Sequence, residues 1–174
     1  MLETERLRLR ALEPTDLEQL YLWENDTAIW EVGSTLNPFS KAQLKTYITQ
    51  SHHNIYYDLQ IRFIVETKDG ESVGCADLYD FEPRIGKAGV AVLIDKKYRH
   101  QGYAFEALQL LEQYAFEFIR MHQLFAFVPK NNVSSNALFT KLSYKPMAEL
   151  KDWVLCDGKY EDAVVYQKIN HQQK

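Results

Sequence analysis

Apolar and polar residues alternate with period two along Leu7-Arg8-Leu9-Arg10-Ala11-Leu12, the pattern of a strand with one buried face. The next apolar positions, Leu17, Leu20, Tyr21 and Trp23, fall at helical spacing behind Thr15-Asp16-Leu17-Glu18, which has the form of a capping box. Ser40-Lys41-Ala42-Gln43 is a second such box and predicts a helix carrying Leu44, Tyr47 and Ile48 inward. Between the two, Asn25 to Phe39 has no period and contains Gly33 and Pro38, so it reads as irregular. Arg62 to Thr67 and Ser72 to Tyr79 predict a hairpin around Lys68-Asp69-Gly70-Glu71. Asp80 to Gly86, with Pro83, is a connection, and Lys87 to Ile94 is a strand. A long helix follows from Tyr103 to about Phe118, with Ala104, Ala107, Leu108, Leu111, Tyr114, Ala115 and Phe118 as its apolar stripe. Leu124 to Val128 predicts a strand and Ser134 to Leu142 a short helix. Lys151 to Leu155 and Tyr160 to Lys168 predict a closing hairpin around Cys156-Asp157-Gly158-Lys159. The order β-α-α-β-β-β-α-β-α-β-β is that of a mixed α/β domain, with no internal repeat and no linker, so residues 1–174 are read as one domain.

Composition narrows the function classes. At 174 residues the chain can bury a full core, and 46% hydrophobic with 13% aromatic residues predicts a packed globule. A net charge of −4 lacks the basic footprint of a nucleic-acid binder. The two cysteines, Cys75 and Cys156, are far apart and form no Cys-x-x-Cys pair, so neither a zinc site nor a redox pair is predicted. Free thiols in a reducing cytoplasm are the expectation. His52-His53, adjacent on one segment, cannot face one metal together, and no metal is expected. No apolar run approaches the roughly 20 residues of a membrane span, and the first residues carry no apolar signal core.

The chemistry concentrates at Arg99-His100-Gln101-Gly102-Tyr103-Ala104, between the Lys87–Ile94 strand and the long helix. A strand that turns tightly into a helix leaves backbone N–H groups without partners, and with the helix dipole they form a phosphate site. Gly102 admits close approach of a ligand to the main chain, and Arg99 supplies a planar fork of donors. The order Arg-x-x-Gly-x-Ala after a strand resembles the acetyl-CoA pyrophosphate loop of the GNAT family of N-acetyltransferases. A second segment, Asn131-Asn132-Val133-Ser134-Ser135-Asn136-Ala137-Leu138-Phe139-Thr140-Lys141-Leu142-Ser143-Tyr144, is similar to the family's Asn-x-x-Ser…Leu-Tyr-x-Lys-Leu-Gly-Phe. The resemblance covers Thr4 to about Lys168.

That resemblance implies a central mixed sheet flanked by about four helices and transfer of acetyl from acetyl-CoA to a primary amine within a ternary complex. It implies that pantetheine pairs with Val92, Leu93 and Ile94 as an added strand. A backbone N–H near Leu93 would polarise the thioester carbonyl and stabilise the oxyanion. Arg99, His100, Gln101, Gly102, Tyr103 and Ala104 would hold the pyrophosphate, and Asn132 the pantetheine arm. An alkyl amine is mostly protonated at pH 7, so a proton acceptor is needed. Glu24, Asp26, Glu31, Asp77, Asp80 and Glu82 are the candidates, with Glu31 favoured because the family shapes its acceptor site with the Asn25–Phe39 stretch.

Departures from the family pattern matter as well. Phe139 stands where many members have a tyrosine that protonates the leaving thiolate, and Ser143 and Tyr144 replace the usual Gly-Phe. A thiolate with a pKa near 8.5 leaves without a dedicated acid, so this weakens but does not remove the assignment. Tyr144 is read as packing, with substitution for the lost acid as the alternative. Leu9 to Leu17 and the Trp153…Asp157-Gly158-Lys159-Tyr160 hairpin resemble the spermidine/diamine and the ribosomal-protein N-terminal branches. The polyamine branch has an acidic residue where Gly89 stands here. The acceptor is therefore a small amine or a protein N-terminus, in a protein compatible with homo-oligomer formation. The alternative is a weak or inactive acyl-CoA-binding module with the same fold.

Overall fold

The computed structural model describes residues 2–27, 37–52, 54–156 and 158–171. Its seven strands are β1 (Leu7–Arg10), β2 (Ile61–Thr67), β3 (Ser72–Glu82), β4 (Lys87–Ile94), β5 (Gln123–Pro129), β6 (Lys145–Cys156) and β7 (Lys159–Ile169). They form one mixed sheet in the order β1-β2-β3-β4-β5-β7-β6. The helices are α1 (Leu17–Glu24), α2 (Lys41–Gln50), α3 (Ile55–Asp58), α4 (Tyr103–Gln113) and α5 (Val133–Lys141). All pairings are antiparallel except β4 with β5, which are parallel because α4 carries the chain across the sheet between them.

Each face of the sheet has its own core. Phe63, Val65, Ala76, Leu78, Ala88 and Val90 pack against Ala107, Leu108 and Leu111 of α4 and against Phe139 of α5. On the opposite face, Ile64 meets Leu20, Trp23, Leu44 and Ile48 of α1 and α2, with Leu93 half-buried beside them. Leu20 and Trp23 of α1 and Leu44 and Ile48 of α2 are the buried residues of those helices, as their spacing predicts.

Several boundaries depart from the pattern. The first helix is entered through a 3-10 turn, Pro14–Asp16, and its box is closed by the Asp16 carboxylate accepting the Glu13 N–H at 2.8 Å, so Thr15 is not the cap. The box at Ser40 is present, with Gln43 N–H donating to Ser40 Oγ at 3.2 Å and Ser40 N–H to Gln43 Oε1 at 2.8 Å. The long helix ends in a π turn, Tyr114–Phe118. The extra residue in that turn shifts the helix face, so Phe118 lies in solvent, stacked on Tyr114, instead of completing the apolar stripe. β3 runs to Glu82 and β6 begins at Lys145, well before the predicted hairpin. α3 is a single turn with no amphipathic signature.

Candidate active site

β4 and β5 pair over only three residues, Lys87↔Gln123, Ala88↔Leu124 and Gly89↔Phe125. Beyond them β5 continues along β7 to Pro129 while β4 continues along β3 to Ile94. The two strands part, and a wedge opens between them. At roughly 3.3 Å per residue, Val90 to Ile94 give β4 an edge about 17 Å long that, among the described residues, no strand covers.

The register decides which backbone groups face the wedge. Asp95 N–H donates to Val73 O at 2.9 Å, and Gly74 stands opposite Ile94. Because antiparallel pairs alternate, Cys75 and Leu93 also exchange bonds, and the N–H and C=O of Leu93 point at β3. Gly74 lies so close to that carbonyl that a Cβ there would sit 2.0 Å from Leu93 O. The groups that face the wedge belong to Val90, Val92 and Ile94. Near Leu93, the outward backbone groups are thus those of Val92 and Ile94, one residue to either side.

The loop at the wide end of the wedge is shaped for an anion. Arg99 Nε donates to Ile94 O at 3.1 Å, which occupies that carbonyl and leaves Val92 at the centre of the free edge. His100 and Gly102 both have positive φ, +62° and +84°, and Gly102 is the N-cap of α4. Only glycine adopts the second conformation without strain, and there it keeps the first N–H groups of α4 uncovered. Gln101 and Gly102 are exposed, while Tyr103 and Ala104 are half-buried. Glu106, in the first turn, would repel an anion. Arg6 offsets it: its guanidinium pairs with Glu106, donates to Gln101 O at 3.2 Å and lies 5.1 Å from the Tyr103 ring centre. Arg6 is a contact from 95 residues away that no local pattern reveals.

Asn132 is the N-cap of α5, its Oδ1 accepting the Ser135 N–H at 3.1 Å. The cap orients the amide at the start of the helix beside the end of β5. Phe139 is buried, edge-on to Tyr144 at 5.1 Å and stacked on Tyr166 at 5.8 Å. Tyr144 is buried as well, and burial together with the adjacent Glu112 carboxylate pushes its phenol well above the usual range.

On the face bearing α1 and α2, Arg62, Asp77 and Ala91 stand side by side across β2, β3 and β4. Arg62 donates to both Asp77 oxygens at 2.8 Å and pairs with Glu24 at the end of α1. Burial disfavours the Arg62 charge, but Asp77 and Glu24 outweigh it and raise its pKa. Arg62 thus stands between two carboxylates, one strand from the wedge. Asp95 ties α1 to the end of β4 by accepting from Trp23 Nε1 at 2.9 Å and Gln19 Nε2 at 3.3 Å. Asn25 joins the two ends of the 26–38 segment on this face. Its Nδ2 donates to Phe39 O at 3.0 Å and its Oδ1 accepts from Phe39 N–H at 2.8 Å. Of the other carboxylates, Asp26 pairs with Lys96, and Asp80 and Glu82 are exposed. Glu31 lies outside the described residues.

Among the described residues no group of three His, Cys, Asp or Glu side chains could hold a metal, and no helix is long and apolar enough to cross a membrane. Cys75 is buried, which pushes its thiol up to about 12.

The family model for the acetyltransferase (GNAT) domain matches residues 6–145. The chain belongs to this family. Like other GNAT proteins it is an N-acetyltransferase with acetyl-CoA as donor, and its residues suit that donor: an open backbone edge at Val92 and an uncovered helix start at Gly102. It is 24% identical to the uncharacterized N-acetyltransferase p20 of Bacillus licheniformis over 98% of this chain and 97% of that one. It is also 24% identical to the probable N-acetyltransferase YjcK of Bacillus subtilis, over 98% and 97%. Spermidine N-acetyltransferase from Vibrio cholerae, solved with CoA and spermine, superposes with a TM-score of 0.86 at 21% identity, covering 95% of this chain and 96% of that one. A dodecameric structure of spermidine N-acetyltransferase from Vibrio cholerae gives 0.82 at 19% identity, covering 98% and 100%.

Proposed function

We propose that this GNAT protein joins an acetyl group from acetyl-CoA to a primary amine by direct attack, with both substrates held at once. The observation that carries the reading is the free β4 edge at Val92, set between the Gly102 loop at one end and the α1–α2 face on the side. Bound acetyl-CoA supplies an activated thioester. Arg99, His100, Gln101, Gly102, Tyr103 and Ala104 cradle its pyrophosphate with backbone donors and the start of α4. Val92, Leu93 and Ile94 form the strand edge, with Val92 N–H aimed at the carbonyl where negative charge develops. Asn132 anchors the arm from the β5 side. The amine enters over the Arg62–Asp77 layer, where the Asp77 and Glu24 carboxylates attract a cation. Glu31, on the segment that Asn25 closes, is the proposed proton acceptor. Holding two reactants in register is the main work of such a site, worth roughly 7–11 kcal/mol of barrier.

A thiol-release assay with acetyl-CoA and a panel of polyamines, amino-terminal peptides and simple diamines tests this. Turnover on a small polycation, or on a peptide N-terminus, identifies the acceptor class. Phe139 favours the second reading, an acyl-CoA-binding module without catalysis, because no phenol occupies that position. Tight acetyl-CoA binding with no turnover on any amine would establish it.

A further inference from the structure

Tyr79 and Gly89 stand opposite each other on β3 and β4. They belong to the last rung before the wedge opens, since Gly89 also pairs with Phe125 in the final β4–β5 contact. The Tyr79 ring lies directly over Gly89: a Cβ there would meet ring carbons at 2.3, 2.4 and 2.8 Å, the closest being the carbon that bears the hydroxyl. The ring is edge-on to Phe125 at 5.9 Å. Its hydroxyl is turned toward the Phe127 backbone, so the ring reaches from β4 toward β5 at the point where they stop pairing. With the ring in this position, nothing larger than glycine fits beneath it.

The orientation of the donor makes this position consequential. The pyrophosphate loop lies beyond the C-terminal end of β4, so an arm paired with β4 runs back from Ile94 toward Gly89. Its acyl end is the part nearest the narrow end of the wedge. We infer that Tyr79 is the acyl-length gauge of this enzyme: its ring closes the narrow end of the β4–β5 wedge and admits acetyl while excluding longer acyl groups. The inference rests on the acetyl-transfer reading, since it needs the acyl-CoA arm to lie along β4.

Calorimetry with acetyl-, propionyl- and butyryl-CoA on the intact protein tests it, alongside thiol release for each donor. The wild type is expected to prefer acetyl-CoA. Tyr79→Ala should shift the propionyl-to-acetyl ratio by about tenfold or more for the added methylene, in affinity and in kcat/KM. Tyr79→Leu, which keeps an apolar side chain over Gly89 and guards against misfolding of the alanine variant, should shift it less. Tyr79→Phe retains the ring and should keep the wild-type ratio. Unchanged ratios in folded Tyr79→Ala and Tyr79→Leu, or a wild type that takes butyryl-CoA as readily as acetyl-CoA, would overturn the gauge alone. A wild type that binds no acyl-CoA would overturn the acetyl-transfer reading and the gauge together.

Discussion

A tyrosine beside a missing tyrosine invites the idea of a replacement acid, and the surroundings of Tyr144 argue against it. Its hydroxyl faces Glu112, ten residues along α4 from Gly102, about 15 Å of helix away from the phosphate loop. Glu112 is itself buried and bonded by Lys168 Nζ at 2.6 Å, with burial raising its carboxyl pKa against that contact. A phenol held there braces the far end of α4 against β7. Tyr144→Phe should therefore leave kcat near the wild-type value and cost little stability, since it removes a buried hydroxyl that makes no hydrogen bond of normal geometry. Stopped-flow or steady-state kinetics with thermal unfolding would read both. Turnover slowed by a factor of roughly 10²–10⁴, with stability unchanged, would mark Tyr144 as the acid instead. The absence of an acid at Phe139 was legible in one residue of sequence. Tyr79 was not, because the turn at Pro83 and the irregular register between Tyr79 and Glu82 bring it over Gly89 only once β3 and β4 pair.

Elements were legible where the pattern was local. The Lys87–Ile94 strand, the start of α4 at Tyr103 and the Ser40 box follow from period, glycine and cap. The early half of β6 was not, since Lys145 to Glu149 is exposed at every position and has no buried face to impose alternation. Nor was the parting of β4 and β5, a property of two strands separated by a whole helix. The loop between them carries the clearest element-level prediction. Gly102→Glu places a side chain at a φ of +84° and a negative charge at the start of α4. Acetyl-CoA affinity should collapse in calorimetry while the far-ultraviolet circular dichroism stays native. Gly102→Ala should lose less, since it adds strain of about 1–2 kcal/mol without the charge. Normal affinity in Gly102→Glu would remove the pyrophosphate from this loop. Arg6→Ala acts on the same loop by freeing Glu106, and should raise the KM for acetyl-CoA with little change in kcat.

At the scale of the molecule, the edge of the sheet farthest from β6 is held by charge as well as by core. Arg8 Nε donates to Glu66 at 2.6 Å, and Arg10 bridges Glu66 and both Asp16 oxygens, the latter at 2.7 and 2.8 Å. A bond from Arg10 to Ser72 Oγ at 3.1 Å joins β3 to the same cluster. β1, the turn into α1, β2 and β3 thus share one network. Burial works against the charged forms of Asp16 and Glu66, but the arginines prevail and hold both carboxyls below the usual range. Asp95, which docks α1 on β4, is lowered in the same way, with Trp23 and the Lys97 N–H outweighing its burial. For carboxyls whose folded pKa is depressed, the unfolded chain binds more protons as pH falls. Their stabilisation is fully present above the unfolded pKa, near 4, and is lost as pH drops through the folded values. Glu112 runs the other way: its raised pKa makes the folded state the better proton binder, so its ionisation weakens the fold as pH rises through that value. Asp16, Glu66 and Asp95, with Glu3, Asp58, Glu149 and Asp162 lowered by surface partners, outnumber Glu112 among the described carboxyls and predict a net loss on acidification. The melting temperature should fall steeply from about pH 5 downward. Glu66→Gln should melt lower at pH 7, because Arg8 and Arg10 lose a shared anion in a mostly buried setting. It should also show a shallower acid slope than the wild type, because one of the depressed carboxyls is gone. Calorimetric melts of the two proteins between pH 7 and pH 3 make the comparison. Parallel slopes would mean that the Arg8–Arg10 network does not govern acid stability.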